Sequence, residues 1–461
     1  MTVSLQSELL KNDPRVAEAK KLLQKAVAEH QEKIKEIRPP APALKQSYEK
    51  TLETFIEHRG VNLWFPYLSS GIGNGALVEL ADGSIKYDLI NGIGPHYLGH
   101  SHQEIISSGI DAALCDTVMQ GNLQQNIDTP ELLKLLVESS GMDHCFLTSS
   151  GAMACENALK IIFQKKHPAH RILAFSKCFM GRTLSLSQIT DNSLYSRKGL
   201  PSNLHIDYVP FFDYKRPQES TKEAIAILKQ HLNRYPEQHA AMALELIQGE
   251  AGFYPGTEDF FTAILDLLKE KGVAILIDEI QTFGRSPELF AFQHYHLESY
   301  VDVITIGKTS QVCATLFKKE FKPKEGLLSQ TYTSSTSAIY ASKVIIKKLL
   351  KGNYYGKDGI ISSLHKQITT HLERLSKTYP TLIEGPFGLG TMLAFTVFEG
   401  KAKETLQFVH KLYEKGVIAF IAGSDPTRVR FLLPIVGLSS KDIETIVGII
   451  ECALTSNYSK K

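Results

Sequence analysis

The chain is poor in cysteine: six in 461 residues, at positions 115, 145, 155, 178, 313 and 452, with no Cys-x-x-Cys pair among them. That spacing supports neither a disulfide framework nor a four-ligand zinc site, so no metal is expected and the reducing cytoplasm is the expected compartment. Long apolar runs are also missing. None approaches the roughly 18 residues that a membrane-spanning helix needs, and the first residues lack the apolar core of a secretory signal, so no membrane partner is expected. Charge of one sign is scarce as well: 51 Lys and Arg against 49 Asp and Glu leave a net charge of +2. No general footprint for nucleic acid follows, and any anion must be held by local groups. What is there is a chain with 22% charged and 43% hydrophobic residues, long enough for two or more structural units or one large α/β enzyme.

Organisation along the chain follows from periodicity. Residues 1–45 read as a helix and linker, with apolar Val16, Leu22, Leu23 and Val27 at helical spacing and Pro39, Pro40 and Pro42 stopping the helix. From about residue 140, short β-branched runs alternate with amphipathic stretches: HCFLT, GAMACENALKIIFQKK, RILAF, EAIAILKQHL, AAMALELI, FFTAILDLLKEK, VAILIDEI and VDVITIG. Such alternation predicts a mainly parallel sheet flanked by helices, with ligands bound at the carboxyl ends of its strands. After residue 340 the pattern becomes a smaller α+β unit. The boundaries adopted are 46–90 for an N-terminal part of the small domain, 91–339 for the large domain and 340–461 for the C-terminal small domain.

Two strand ends carry the chemistry. VAILIDEI places Asp278 after a run of aliphatic residues, where a buried carboxylate needs a positive partner. Ile280 shares its strand face and Gln281 lies beside it. A structural carboxylate capping a helix or bridging to Arg285 is the competing reading. VDVITIGKTS then delivers Lys308 at the end of an apolar strand, where desolvation favours a neutral, nucleophilic amine. The Gly-Lys-Thr triplet imitates a phosphate loop, but such a loop needs glycine five residues before the Gly-Lys pair, and position 302 is Asp.

Two further segments complete a set. In TSSGAMACENALK a strand end runs into a helix whose first turn, Ser150, Gly151 and Ala152, offers free N–H groups and the positive end of the helix dipole to a phosphate. In FMGRT, Phe179 can stack on a flat ring and Arg182 can grip a carboxylate, although an arginine after a strand is more often a surface ion pair. A phosphate cradle, an aromatic face, an aliphatic face, a carboxylate for a pyridinium nitrogen and an imine-forming lysine together describe pyridoxal phosphate.

The order SGAMAxEN, FxGRT, QGEAG, DEIQTFGR, GKT and RVRFLLP resembles that of the class III, or ω-amino acid, aminotransferases of fold type I. GAMACENALKIIF and GKTSQVC look most like L-lysine 6-aminotransferases, and DGSIKYDLINGIGPHYLGHSH and LFAFQHY look more like the acetylornithine and ornithine branch. The resemblance implies a homodimer with active sites at the interface, transferring a terminal amino group to 2-oxoglutarate. It makes Lys308 the Schiff-base lysine, Asp278 the partner of the ring nitrogen and Gln281 the partner of the phenolic oxygen. Phe179 and Ile280 would sandwich the ring, and Ser150, Gly151, Ala152 and a neighbouring subunit's Thr331 would hold the phosphate. Arg430 would take the α-carboxylate, Arg182 the distal carboxylate and Glu250 would be a switch pairing with Arg430. The chain departs from the family pattern at Met153, Met180, Ile93 and the segment QTYTSST. An aminomutase or racemase on the same scaffold, and a non-catalytic relative, are the alternatives.

Overall fold

A computed structural model describes residues 4–191 and 198–456. Its centre is a seven-stranded sheet in the spatial order His144–Thr148, Cys313–Phe317, Val303–Ile306, Ala274–Asp278, His239–Leu244, Arg171–Phe175, His205–Val209. The strand Cys313–Phe317 runs antiparallel to both its neighbours, and every other adjacent pair is parallel. The alternation read from the sequence thus produces the mainly parallel sheet it predicts, with one reversed strand.

Side-chain period fixes how this sheet is covered. Leu173, Phe175, Ile275 and Ile277 enter one hydrophobic core, whereas their chain neighbours Ile172, Ala174, Ala274 and Leu276 enter another on the opposite face. Helix Glu258–Glu270 closes the first core with Phe260, Phe261, Ile264, Leu265 and Leu268. Helix Gly151–Lys166 closes the second with Cys155, Ala158, Leu159 and Ile162. Each fully buried leucine, isoleucine or phenylalanine contributes about 1.5–3 kcal/mol, so both faces are covered and the strand ends are left open to a ligand.

The C-terminal unit is an antiparallel sheet in the order Ile383–Leu389, Met392–Val397, Arg428–Leu432, Phe420–Ala422. Helices Ile360–Thr378, Ala402–Glu414 and Ser440–Thr455 cover it. A second small sheet joins Ser69–Asn74, Leu77–Leu80 and Ile85–Asp88 to Val417–Ile418. Among the described residues no helix is long and apolar enough to cross a membrane.

The N-terminal segment differs from its sequence reading, whose first three residues lie outside the described ones. It holds two helices, Gln6–Lys11 and Pro14–Gln31, where one was expected. The break is local: the Asp13 carboxylate accepts the Arg15 N–H at 2.8 Å, and Pro14 occupies the first helical position. Nor do the prolines end the second helix, which stops at Gln31. There Gln31 Nε2 donates to the carbonyls of Gly73 and Ser101, both at 3.0 Å, tying the chain to the body before Pro39 is reached.

Candidate active site

Lys308 follows the strand Val303–Ile306 and starts a single short turn, Lys308–Ser310, with its backbone in the left-handed region at φ 50°. This is no phosphate loop. A non-glycine residue held there is strained, and such strain persists where surrounding structure dictates the position of a side chain. Burial pushes the Lys308 amine down to about 8, against the opposing pull of Glu250.

Asp278 ends the neighbouring parallel strand and is 8% exposed. Its Oδ1 accepts the Ile280 N–H at 2.8 Å and the Thr305 hydroxyl at 3.3 Å, and its Oδ2 lies 3.6 Å from the Cys155 sulfur. Among the described residues no cation lies within ion-pairing distance of it. Arg285, the competing partner, is committed elsewhere: it donates to the Gly94 carbonyl at 2.5 Å and lies over the Tyr97 ring at 4.3 Å. Burial therefore pushes the Asp278 carboxyl up to about 6, partly offset by its hydrogen bonds and by Lys308. A carboxylate so placed is suited to a cation that arrives with a ligand.

Lys308, Asp278, Gly151, Ala152, Phe179, Ile280, Gln281 and Glu250 line one cavity together with Met180 and Glu245. Ile280 presses on the helix start, since a Cβ on Gly151 would lie 2.8 Å from its Cδ1. Both amide atoms of Gln281 are buried without a hydrogen-bond partner. Gly249 lies against it, so that a side chain there would push the Gln281 amide from this position. Ser150 caps the helix, its Oγ accepting the Met153 N–H at 3.2 Å, so the N–H groups of Gly151 and Ala152 have no intrahelical partner.

Of the remaining expected residues, Arg430 and Arg182 lie next to residues of this wall, and Thr331 does not. Arg430, 1% exposed, donates from Nη1 to Glu250 Oε1 at 2.8 Å. Burial works against ionisation of Glu250, but Arg430 and Lys308 outweigh it and the carboxyl is held below its ordinary range. Arg182 sits 5.7 Å from the Phe179 ring centre. Thr331 is exposed and does not line its own chain's cavity, while its neighbour Gln330 accepts from the Thr148 hydroxyl at 2.8 Å, at the strand end preceding the phosphate-type turn.

One residue escaped the sequence reading. Glu245, at the end of the strand His239–Leu244, is 7% exposed and accepts the Phe179 N–H at 2.8 Å and the Gly249 N–H at 3.0 Å. It thereby braces both Phe179 and the glycine against Gln281. Burial raises its carboxyl to about 8. The argument that singled out Asp278, an acid at the end of an apolar strand, applies equally to AAMALELI.

Against known proteins, the family model for class-III aminotransferases matches residues 66–454. The chain belongs to that family. It is 29% identical over 401 residues to the acetylornithine aminotransferase of Methanocaldococcus jannaschii, covering 83% of this chain and 92% of that one. It is also 29% identical over 384 residues to the LysW-aminoadipate semialdehyde/glutamate semialdehyde transaminase of Sulfurisphaera tokodaii, covering 81% and 91%. Lysine aminotransferase from M. tuberculosis shares the fold with a TM-score of 0.77 at 20% identity, covering 88% of this chain and 99% of that one. The aminotransferase is fold type I, and class III aminotransferases depend on pyridoxal phosphate. The cavity fits that group: a buried carboxylate without a cation, an orphaned amide, free N–H groups at a helix start and a depressed lysine are the complements of a pyridinium, a phenolic oxygen, a phosphate and an aldehyde.

Proposed function

We propose that this aminotransferase moves a terminal amino group from a diamino or ω-amino acid of the lysine, ornithine, acetylornithine or GABA type onto 2-oxoglutarate, as a cytoplasmic homodimer. The observation that carries the reading is the Arg430–Glu250 pair at 2.8 Å beside Lys308. While the pair is closed, Arg430 is neutralised and the site favours an amine whose carboxylate lies far from the reacting end. When Glu250 swings away, Arg430 is free to take the α-carboxylate of a dicarboxylic acid, so one cavity serves both halves of a ping-pong cycle. The relatives' names, acetylornithine and semialdehyde transaminases, support the same substrate class.

The assigned roles follow the chemistry of each group. Bound pyridoxal phosphate supplies the carbonyl that captures the amine and the electron sink that weakens the adjacent C–H bond. Asp278 keeps the ring nitrogen protonated, Gln281 binds the phenolic oxygen, and Phe179 and Ile280 hold the ring plane. Ser150, Gly151 and Ala152 hold the phosphate, with Thr331 reaching across from a second copy. Lys308 Nζ would take the proton from the substrate's amine-bearing carbon and deliver it to the cofactor carbon that had carried the carbonyl, a task served by an amine whose pKa burial brings to about 8. Arg182 binds the distal carboxylate of the dicarboxylic partner.

The test is to supply lysine, ornithine, acetylornithine or GABA with 2-oxoglutarate, to measure glutamate, and to repeat it with Arg182→Ala. Loss of a carboxylate's guanidinium partner costs about 2–4 kcal/mol, so the 2-oxoglutarate half-reaction should slow by about thirtyfold or more while the amine half-reaction changes little. Equal losses in both halves would remove the role given to Arg182. Conversion of the amine without any keto acid would indicate a mutase instead.

A further inference from the structure

Asp278 is held from beneath by two side chains that no catalytic step uses. One is Thr305, on the adjacent strand, whose hydroxyl reaches Oδ1 at 3.3 Å. The other is Cys155, one helical turn beyond Gly151 on the helix whose start forms the phosphate-type turn, with its sulfur 3.6 Å from Oδ2 and 3.7 Å from the Thr305 hydroxyl. All three residues are buried, Cys155 and Thr305 fully so. A single S–H proton serves one acceptor, and the carboxylate is the stronger.

We propose that Cys155 is a positioning residue, its thiol donating to Asp278 Oδ2 so that helix Gly151–Lys166 sets both the phosphate cradle and the orientation of the carboxylate facing the ring nitrogen. This rests on the role given to Asp278 above. Cysteine suits the place for two physical reasons. Its volume fits a helix face on which Ala158 and Leu159 also pack against the sheet residues Ala274 and Leu276. Its thiol also stays protonated, because burial and the Asp278 charge hold it well above the ordinary range, so it remains a donor and never a second negative charge. A weak donor orients the carboxylate without draining its charge.

The test compares Cys155→Ala, which lacks the donor, with Cys155→Ser, which keeps one. Two quantities are read: the dissociation constant of pyridoxal 5'-phosphate from refolded apoenzyme, and the pH midpoint of the bound cofactor's visible absorption. The groups facing Asp278 are Lys308, Glu245, Cys155 and Cys313, each from a different element, with Glu279 next in the chain, and only Cys155 differs between the variants. Loss of one hydrogen bond to Asp278 should weaken cofactor binding about three- to tenfold. It should also move the midpoint to higher pH by about half a unit, because a less restrained, more basic carboxylate feeds more negative charge toward the ring. Cys155→Ser should stay close to wild type in both. Equal behaviour of the two variants, with only thermal stability changed, would reduce Cys155 to a packing residue. Asp278→Asn is the control: if it left the midpoint and affinity unmoved, the assignment of Asp278 itself would fall, an outcome distinct from the first.

Discussion

Replacing Glu250 with alanine isolates the balance between the two halves of the cycle. The Arg430 side chain is 1% exposed and Glu250 35%, with one hydrogen bond of 2.8 Å between them. Arg430 Nε has no partner, and the Phe420 ring centre lies 5.3 Å from the guanidinium. An exposed pair is worth less than about 1 kcal/mol, and breaking a fully buried one costs about 3–5 kcal/mol. With one partner one-third exposed, a value of about 1–2 kcal/mol is appropriate. On the proposed switch, a dicarboxylate displaces Glu250 before it meets Arg430. Without Glu250 that cost vanishes, so a dicarboxylate should bind about 5- to 30-fold more tightly. Glutarate, which cannot be transaminated, is the clean probe: its dissociation constant follows from spectral titration of the cofactor-loaded enzyme. The amine half-reaction should slow over the same range, because the unpaired arginine captures carboxylates that the native site rejects. A glutarate affinity within twofold of the native value would refute the reasoning, since it would mean the pair is open at no cost. Lower thermal stability of Glu250→Ala, restored by glutarate, would support it independently.

Two further outcomes follow from the charges described. The rate at which apoenzyme forms an imine with pyridoxal phosphate should climb with pH and level off near 8, where the buried Lys308 amine becomes neutral; a climb continuing toward the ordinary lysine range would show that burial does not depress it, and Lys308→Ala should form no imine while still binding the cofactor through its phosphate. In the middle of the edge strand His205–Val209, Asp207 is hydrogen-bonded by Arg171 at 2.7 and 2.8 Å and by His239 at 2.9 Å, and its carboxyl lies below the ordinary range because these partners outweigh its burial. A depressed carboxyl stabilises the fold above the unfolded pKa of about 4 and loses that contribution as pH falls through its folded value, so Arg171→Ala should lower the melting temperature near pH 7 and narrow the gap to wild type under acid; a constant gap down to pH 2 would contradict this.

The strand ends were legible because an acid or amine after an apolar strand is costly wherever it is not used, a cost visible in the letters themselves. That logic points to Asp278 and Lys308, which the fold brings into one cavity with Gly151 and Ala152, the small residues where a helix begins. It does not show which partner a buried group has: only the fold reveals that Arg285 serves Gly94 and Tyr97 and leaves Asp278 without a cation. Glu245 carries the same signal as Asp278, an acid at the end of an apolar strand, but its meeting with the Phe179 N–H, 66 positions away, is not written locally. Cys155 meets Asp278 across 123 positions, and no local pattern encodes that contact. The N-terminal helix stops at Gln31, ahead of the proline cluster, where the Gln31 side chain meets the carbonyls of Gly73 and Ser101, a contact that the letters near it do not show.

The small sheet built on Ile85–Asp88 has a consequence for how the chain is made. Its outer neighbour is Val417–Ile418, and Tyr87 pairs with Val417, so strands near the beginning are completed only by a strand near the end. Synthesis at about 5–20 residues per second separates the two by roughly 15 seconds to a minute, during which one edge of the nascent sheet is open to other chains. The interval also brings out the entire seven-stranded sheet, which can close around its own cores while the first strands wait. Ribosome-bound chains halted before residue 417 should therefore hold a folded centre with sticky leading strands, and a chaperone that shields exposed strand edges should raise the yield of this protein more than that of one whose sheets pair in order of synthesis.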